Sequence, residues 1–285
     1  MNITNQYFDT AQLEYTTSKI RKRLLDVVYH AKCGHIGGGL SALNMITALY
    51  FHTMNIDPKN PKMESRDRFI MSKGHCAEAL YCVLEERGVI STELLNTYGK
   101  YNSPLAGHPT TKIPGVEVNT GALGHGLSIG VGLALAAKMD GKKYKTFVLM
   151  GDGEQGEGSI YEAAMAASHY QLDNLVAIID RNGLQITDRT ENVMSLEPIE
   201  KRWQAFGWDV VDIDGNDMKQ IVLTLDGINY HNNRPHLIIS RTVKGKGISQ
   251  MENNLKWHHG VPQKEEYELF MMELEENIIN HSIHG

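Results

Sequence analysis

Concentrated positive charge is missing from this 285-residue sequence. Its 28 Lys and Arg residues are outnumbered by 34 Asp and Glu, the formal net charge is -6, and no basic run stands out. That balance argues against a nucleic-acid partner. Cysteine is scarce as well. Cys33, Cys76 and Cys82 form an odd count without metal-type spacing, which speaks against a disulfide framework and for reduced cytosolic thiols. Long apolar runs are also lacking. The best membrane candidate, Gly121–Lys138, is broken by His125, Ser128 and repeated glycines and falls short of a span, so a buried helix packed through small residues is expected. The opening segment, MNITNQYFDTAQLEY, has neither the basic start nor the apolar core of a secretory signal. A cytoplasmic protein without membrane contact is the expectation. Repeats, low-complexity tracts and linkers are wanting too. One domain over residues 1–285 is therefore expected, with N-terminal helical and loop excursions. The hydrophobic fraction of 41% and charged fraction of 22% are ordinary for a soluble enzyme.

What is present is a pair of strand ends. The run KTFVLMGDGEQGEG carries Asp152, and thirty positions later NLVAIIDRNGLQIT carries Asn182. Each apolar strand-like run stops at polar residues, so two oxygen ligands arrive at the carboxyl ends of two strands, where open α/β sheets bind ligands. Glycines such as Gly153 let backbone N–H groups approach a phosphate, and a helix N-terminus after Gly158 adds partial positive charge. The same loop holds Asp152, Glu154 and Glu157, which repel a diphosphate unless a cation lies between. Mg2+ bridging carboxylate, amide and phosphate oxygens resolves that conflict. The combination resembles the thiamine-diphosphate motif, with its Gly-Asp-Gly start and terminal asparagine.

The surrounding rhythm alternates. A helix is expected over Thr10–Lys32, then the glycine-rich turn CGHIGGGLS, then a helical stretch over residues 42–54. Strands are expected in DRFIMS, KTFVLM, NLVAIID, WDVVDID and PHLIISRTV. Helices are expected in CAEALYCVLEERG, SIYEAAMAASHY, around Ile199–Phe206, in MKQIVLTLDGI and in the acidic tail EEYELFMMELEEN. Alternating strands and helices imply an α/β fold, a parallel sheet with helices on both faces. The polar clusters closing the strands should line one rim: Ser72 to His75, Gly151-Asp152, Arg181-Asn182, Asp214-Gly215 and Lys244-Gly245.

Histidine is plentiful, 13 in all, and several sit beside glycine or proline: His35, His75, His108, His125, His258 and His259. Such loops are shaped to admit a ligand. A histidine zinc site competes, but no i, i+4 histidine pair or Cys-x-x-Cys spacing supports it.

Taken in order, GHIGGGLS, DRFIMSKGHCAEALY, LAGHPT, GVEVNTGALGHGLSIGVGLALAAK, the Gly-Asp-Gly to Asn segment and HHGVP resemble the transketolases from about His35 to Pro262. The resemblance implies the diphosphate-binding (PP) domain fold, thiamine diphosphate as cofactor and ketol transfer as the reaction. It implies that Asp152, Asn182 and the Leu184 carbonyl bind Mg2+. His75 and Gly153 would contact the diphosphate, with Glu157 near the outer shell of the metal. Gly121 and Leu123 would meet the aminopyrimidine ring, and His35, His108 and His259 would bind sugar oxygens and shuttle protons. His125 stands where glutamine is common in long transketolases, and Lys73 where asparagine is frequent.

Activation of the cofactor also needs a carboxylic acid that transketolases carry in a pyrimidine domain, C-terminal to the region matched. A C-terminal (pyrimidine-domain) partner subunit in a heterotetramer is therefore expected. Two alternatives remain open: a deoxyxylulose-phosphate-synthase-like subunit that decarboxylates pyruvate, and a non-catalytic cofactor-binding regulatory module.

Overall fold

Five apolar runs pair into a single all-parallel sheet in the computed structural model, which describes residues 8–283. The strands are β1 (Arg68–Met71), β2 (Thr146–Gly151), β3 (Leu175–Arg181), β4 (Asp209–Asp214) and β5 (His236–Arg241), in the order β1-β2-β3-β5-β4. The longer helices are α1 (Thr10–Ala31), α2 (Ile36–Ala48), α3 (Ala77–Glu86), α5 (His125–Met139), α6 (Gly158–His169), α9 (Met218–Asp226) and α10 (Lys264–Ile283). Shorter ones are α4 (Thr92–Leu95), α7 (Thr190–Val193) and α8 (Ile199–Ala205). The expected α/β class and parallel sheet are what the chain forms.

Period-two alternation explains why the strands read as unbroken apolar runs. Phe69, Phe147, Leu149, Val176, Ile178 and Ile238 join the core beneath α1, α2, α3, α9 and α10. Ile70, Val148, Met150, Ala177, Ile179 and Ile239 face the opposite way, beneath α5, α6 and α8. A parallel sheet covered on both faces needs apolar residues at every position. The register sets Gly151 beside Asp180 and Arg181 beside Arg241, so the strand ends open on one rim.

Two expectations change. The glycine-rich stretch after His35 is not a turn: α2 begins at Ile36 and takes Gly37, Gly38 and Gly39 into its first turns. Close packing is the reason, because a Cβ on Gly37 would lie 2.5 Å from the Trp257 carbonyl oxygen. Helix α5 is only half buried. Gly126, Leu127, Gly130, Val131, Ala134 and Ala137 face the sheet, while Ser128, Ile129, Gly132, Ala136 and Met139 are exposed. That outer stripe carries no charge between His125 and Ala137. Among the described residues, no helix is long and apolar enough to cross a membrane.

Candidate active site

The rim holds a cavity of about 300 Å³. β2 runs out into Asp152 and Gly153, and β3 into Asn182, Leu184 and Gln185. Lys73 and His75 follow β1, Lys244 follows β5, and His35 and Gly38 come from the start of α2. Gly121 and Leu123, just before α5, form another wall with His108. The space is tight there: a Cβ on Gly121 would stand 3.3 Å from the His108 ring. Of the residues singled out in the sequence, His35, His75, His108, Gly121, Leu123, Asp152, Gly153, Asn182 and Leu184 all line this cavity. His259 is exposed, with its ring 4.6 Å from that of His35. Glu157 is exposed and is not among the lining residues, because the short turn Gly153–Gly156 carries the chain away before α6.

The three acids of the loop thus go three ways. Asp152, 3% exposed, faces the cavity; its Oδ2 accepts from the Gly183 N–H at 2.7 Å and Arg181 Nη1 at 3.1 Å. Its Oδ1 accepts from the Gly153 N–H at 2.8 Å. Burial, then the neighbouring Asp180 carboxylate, pushes the Asp152 carboxyl above its ordinary value. Glu154 turns inward. Its Oε1 accepts from the Gly124 N–H at 2.8 Å and from the Ser72 hydroxyl, and its Oε2 from the Gly151 N–H at 3.0 Å. One side chain therefore ties the ends of β1 and β2 to the start of α5. Glu157 points out.

Behind the cavity lies a buried ion pair between Lys73 and Asp180, each 1% exposed. Burial alone would depress the lysine and raise the aspartate; their mutual attraction outweighs it in both. Asp180 also accepts from Ser41 Oγ at 2.6 Å, Asn182 Nδ2 at 3.1 Å and Thr242 Oγ1. Lys73 donates further to the Gly38 carbonyl at 2.9 Å. A second buried cation, Lys244, donates to the Leu184 carbonyl at 3.1 Å and to His258 Nδ1 at 2.7 Å. Burial, helped by Lys73, lowers its ammonium to about 8.

Four imidazoles share the opening. The His35 ring lies 5.2 Å from His75 and 5.6 Å from His258, and His75 lies 5.9 Å from His258. Burial followed by His259 and His108 lowers His35 to about 4, and burial followed by Lys244 lowers His258 to about 4. Burial followed by Lys73 takes His75 to about 2. These rings are neutral at physiological pH, able to accept a hydrogen bond from a hydroxyl.

Among the described residues, no group of three or more His, Cys, Asp and Glu is placed to hold a metal ion. The candidate donors are of another kind: one carboxylate, one amide oxygen and one backbone carbonyl, from Asp152, Asn182 and Leu184. All are hard oxygens, and all line the same cavity.

The family described as "Transketolase, thiamine diphosphate binding domain" matches residues 13–273. The chain belongs to the transketolase family. It is 62% identical over 266 residues to one of the named subunits of the apulose-4-phosphate transketolase of Phocaeicola vulgatus, covering 93% of this chain and 95% of that protein. It is 39% identical to the 6-deoxy-6-sulfo-D-fructose transketolase subunit SqwG of a Clostridium species, with 92% and 96% covered. Among solved structures it superposes on the transketolase of Campylobacter jejuni with a TM-score of 0.83 at 29% identity, covering 99% of this chain and 48% of that one. The chain spans about half the length of the solved transketolases it matches, 45% for the Pichia stipitis enzyme. It is a subunit-sized, thiamine-diphosphate-binding portion of a transketolase-type enzyme.

Sequence reasoning set Lys244 on the rim and His258 in a ligand-admitting loop without giving either a role in this transketolase site, and it missed Asp180. Asp180 had a signal: an acid near the end of the fully buried run LVAIIDR must find a cation, and Lys73 follows β1, which lies one strand further on, beyond β2. Between His258 and His259, adjacency alone gave no means of telling which ring turns inward. Lys244 sits in an unremarkable TVKGKG turn, and only the fold brings it onto Leu184.

Proposed function

We propose that this chain is the thiamine-diphosphate-binding subunit of a two-chain transketolase. With a pyrimidine-domain partner it moves a two-carbon ketol unit from an anionic ketose to an aldehyde acceptor. The observation that carries this reading is the convergence of Asp152, Asn182 and the Leu184 carbonyl with His35, His75 and His108 on one cavity. Those three oxygens would hold Mg2+, His75 and the Gly153 backbone would hold the diphosphate, and Gly121 and Leu123 would meet the aminopyrimidine. When bound, thiamine diphosphate supplies the electron sink that cleavage beside a carbonyl requires.

The rest falls to the side chains of this chain. His35 and His108, with His259 at the mouth, bind the sugar hydroxyls and take up and return their protons, a task for which imidazole carries both a donor and an acceptor nitrogen. Lys244, still mostly protonated at neutral pH, balances anionic charge in the cavity. Lys73 and Asp180 fix Asn182 and the start of α2 from behind.

The subunit names of the relatives support a separate partner chain. Two copies of each chain make the heterotetramer. The uncharged outer stripe of α5, with the exposed Met165 of α6, is the contact face in this reading, because a helix apolar all round calls for cover on both sides. The 62% identity favours apulose 4-phosphate as donor over 6-deoxy-6-sulfo-D-fructose, whose relative is 39% identical. Three free cysteines, two of them buried, suit a cytoplasmic setting.

The test is reconstitution. This chain, a pyrimidine-domain chain, thiamine diphosphate and MgCl2 are combined with each donor and an aldehyde acceptor, and products are followed by mass spectrometry. Ketol transfer should need both chains, and Ile129→Glu should weaken their association. Turnover by this chain alone refutes the split enzyme. Pyruvate decarboxylation establishes the synthase reading instead, and tight cofactor binding without any carbon transfer establishes the regulatory one.

A further inference from the structure

One fully buried acid stands without an ion-pair partner among the described residues. Glu78, in the first turn of α3, is 0% exposed and takes part in no ion pair of the kind Lys73 gives Asp180. Its Oε1 accepts from the backbone N–H of His35, and its Oε2 has no hydrogen bond of full geometry, with the Tyr98 hydroxyl the donor beside the carboxyl. Leaving a carboxyl in this position is costly, and its place in the first turn of α3, with its own backbone N–H, offsets part of that cost. What it touches is the turn that launches His35. Gly34 has φ +149°, and a Cβ there would lie 2.8 Å from Val28 Cγ2 and 3.0 Å from Glu78 Oε1. The carboxyl is packed against the Cα of Gly34 and bonded to the next N–H. His35 stands at the N-cap of α2 with no side-chain cap of its own, so this carboxyl contact anchors its N–H from outside the helix.

We propose that Glu78 is a positioning residue for His35: through the hydrogen bond at the Gly34–His35 turn, its state of ionisation sets how firmly that ring is held in the cavity. Burial, the leading influence, pushes this carboxyl up to about 7, against the pull of its backbone hydrogen bonds and of Lys73. The groups facing it are Cys33 on the turn, Tyr98 beyond α4, Tyr81 and Cys82 on α3 itself, and Cys76 and Lys73 ahead of it. The thiols and phenols among them are held above their ordinary values, so Glu78 is the group on this side that changes charge near neutrality. Ionised, it makes a charge-assisted bond to the His35 N–H; protonated, a weaker one. The turn is held more tightly above neutral pH than below it.

The role assigned to His35 in ketol transfer rests on the function proposed above; the placement of the ring does not. Two readouts keep them apart. On this chain alone, the rate of diethylpyrocarbonate modification of His35 is followed by peptide mass spectrometry from pH 6 to 8.5. The ring itself is neutral across that range. Lys244 titrates nearby, so the comparison with Glu78→Gln decides. The wild-type rate should fall through an inflection near neutrality, and Glu78→Gln, which keeps an acceptor without a charge, should abolish that inflection. Glu78→Ala should raise the rate at every pH and, in the reconstituted enzyme, lower kcat by about 10- to 100-fold. An unchanged inflection in Glu78→Gln overturns the proposal, and so does an unchanged His35 rate in Glu78→Ala. If Glu78→Ala does not fold, Glu78→Gln alone carries the test. A His35 rate that responds while turnover does not upholds the positioning and instead removes His35 from the catalytic reading.

Discussion

Replacing Glu154 by glutamine keeps the shape of the side chain and should still damage the protein. Both carboxylate oxygens are acceptors, for the Gly124 N–H and Ser72 hydroxyl on one side and the Gly151 N–H on the other. Glutamine offers one oxygen and one NH2. If its oxygen keeps Gly124 and Ser72, the NH2 confronts the Gly151 N–H. If the amide is flipped, Ser72 can rotate its hydroxyl to accept, but the Gly124 N–H cannot. Either way one buried backbone donor is stranded, at a cost of about 1–3 kcal/mol, and the surviving bonds lose roughly 1 kcal/mol each with the charge. Against this stands relief of burying a carboxylate, which raises the Glu154 carboxyl above its ordinary value. That relief is worth about 1.4 kcal/mol for each tenfold by which burial strengthens proton binding. The net expectation is a loss of about 2 kcal/mol, a Tm lower by roughly 4–8 °C. Trp203, Trp208 and Trp257 are buried and report urea unfolding by fluorescence. A Glu154→Gln variant within about 0.5 kcal/mol of wild type, or more stable, means burial of the charge outweighs the three bonds and refutes the accounting.

Asp152→Ala and Asn182→Ala should each sharply weaken Mg2+-dependent cofactor binding in the assembled enzyme while leaving the fold intact; calorimetric titration with wild-type affinity in both overturns the metal assignment. His35→Ala and His259→Ala should lower turnover by about 10² to 10⁴ where the residue moves a proton, and full activity at both high and low donor concentration removes them from the substrate side. The raised Glu78 carboxyl, about 7 against an ordinary 4.5, makes the folded state lose stability as pH climbs through that window. The loss is at most roughly 3 kcal/mol, and Glu78→Gln should flatten it in urea unfolding at pH 5 and pH 8.

Much of the architecture was legible because its physical causes are local. Four of the five strands announced themselves as apolar runs closed by polar residues, and the edge strand β4, DVVDID, as a valine and isoleucine pattern broken by aspartates. That Asp152 and Asn182 line one cavity followed from those same ends. The failures share a cause as well: they depend on what lies across space. Glycine favours loops, so the first turns of α2 read as a turn until Trp257 and Cys76 are seen pressed against Gly37 and Gly38. The uncharged sequence of α5 reads as buried, yet its outer face meets nothing within the described residues. Likewise, the partnerships of Lys244 with Leu184 and of Lys73 with Asp180 join positions dozens of residues apart.

Helix α10 closes against α1, with the Tyr29 and Tyr267 rings stacked at 3.9 Å, the Tyr267 hydroxyl on Asp26 and Lys22 on Glu275. In the order of synthesis α1 leaves the ribosome long before α10. At about 5–20 residues per second, α1 waits roughly 10–50 s for the segment that covers it. His258 emerges only shortly before that segment, so the cavity and the outer shell reach completion together. A nascent chain therefore exposes an apolar face of α1 until α10 emerges, a surface for a general chaperone to hold, and offers a finished cofactor cavity only shortly before α10 follows.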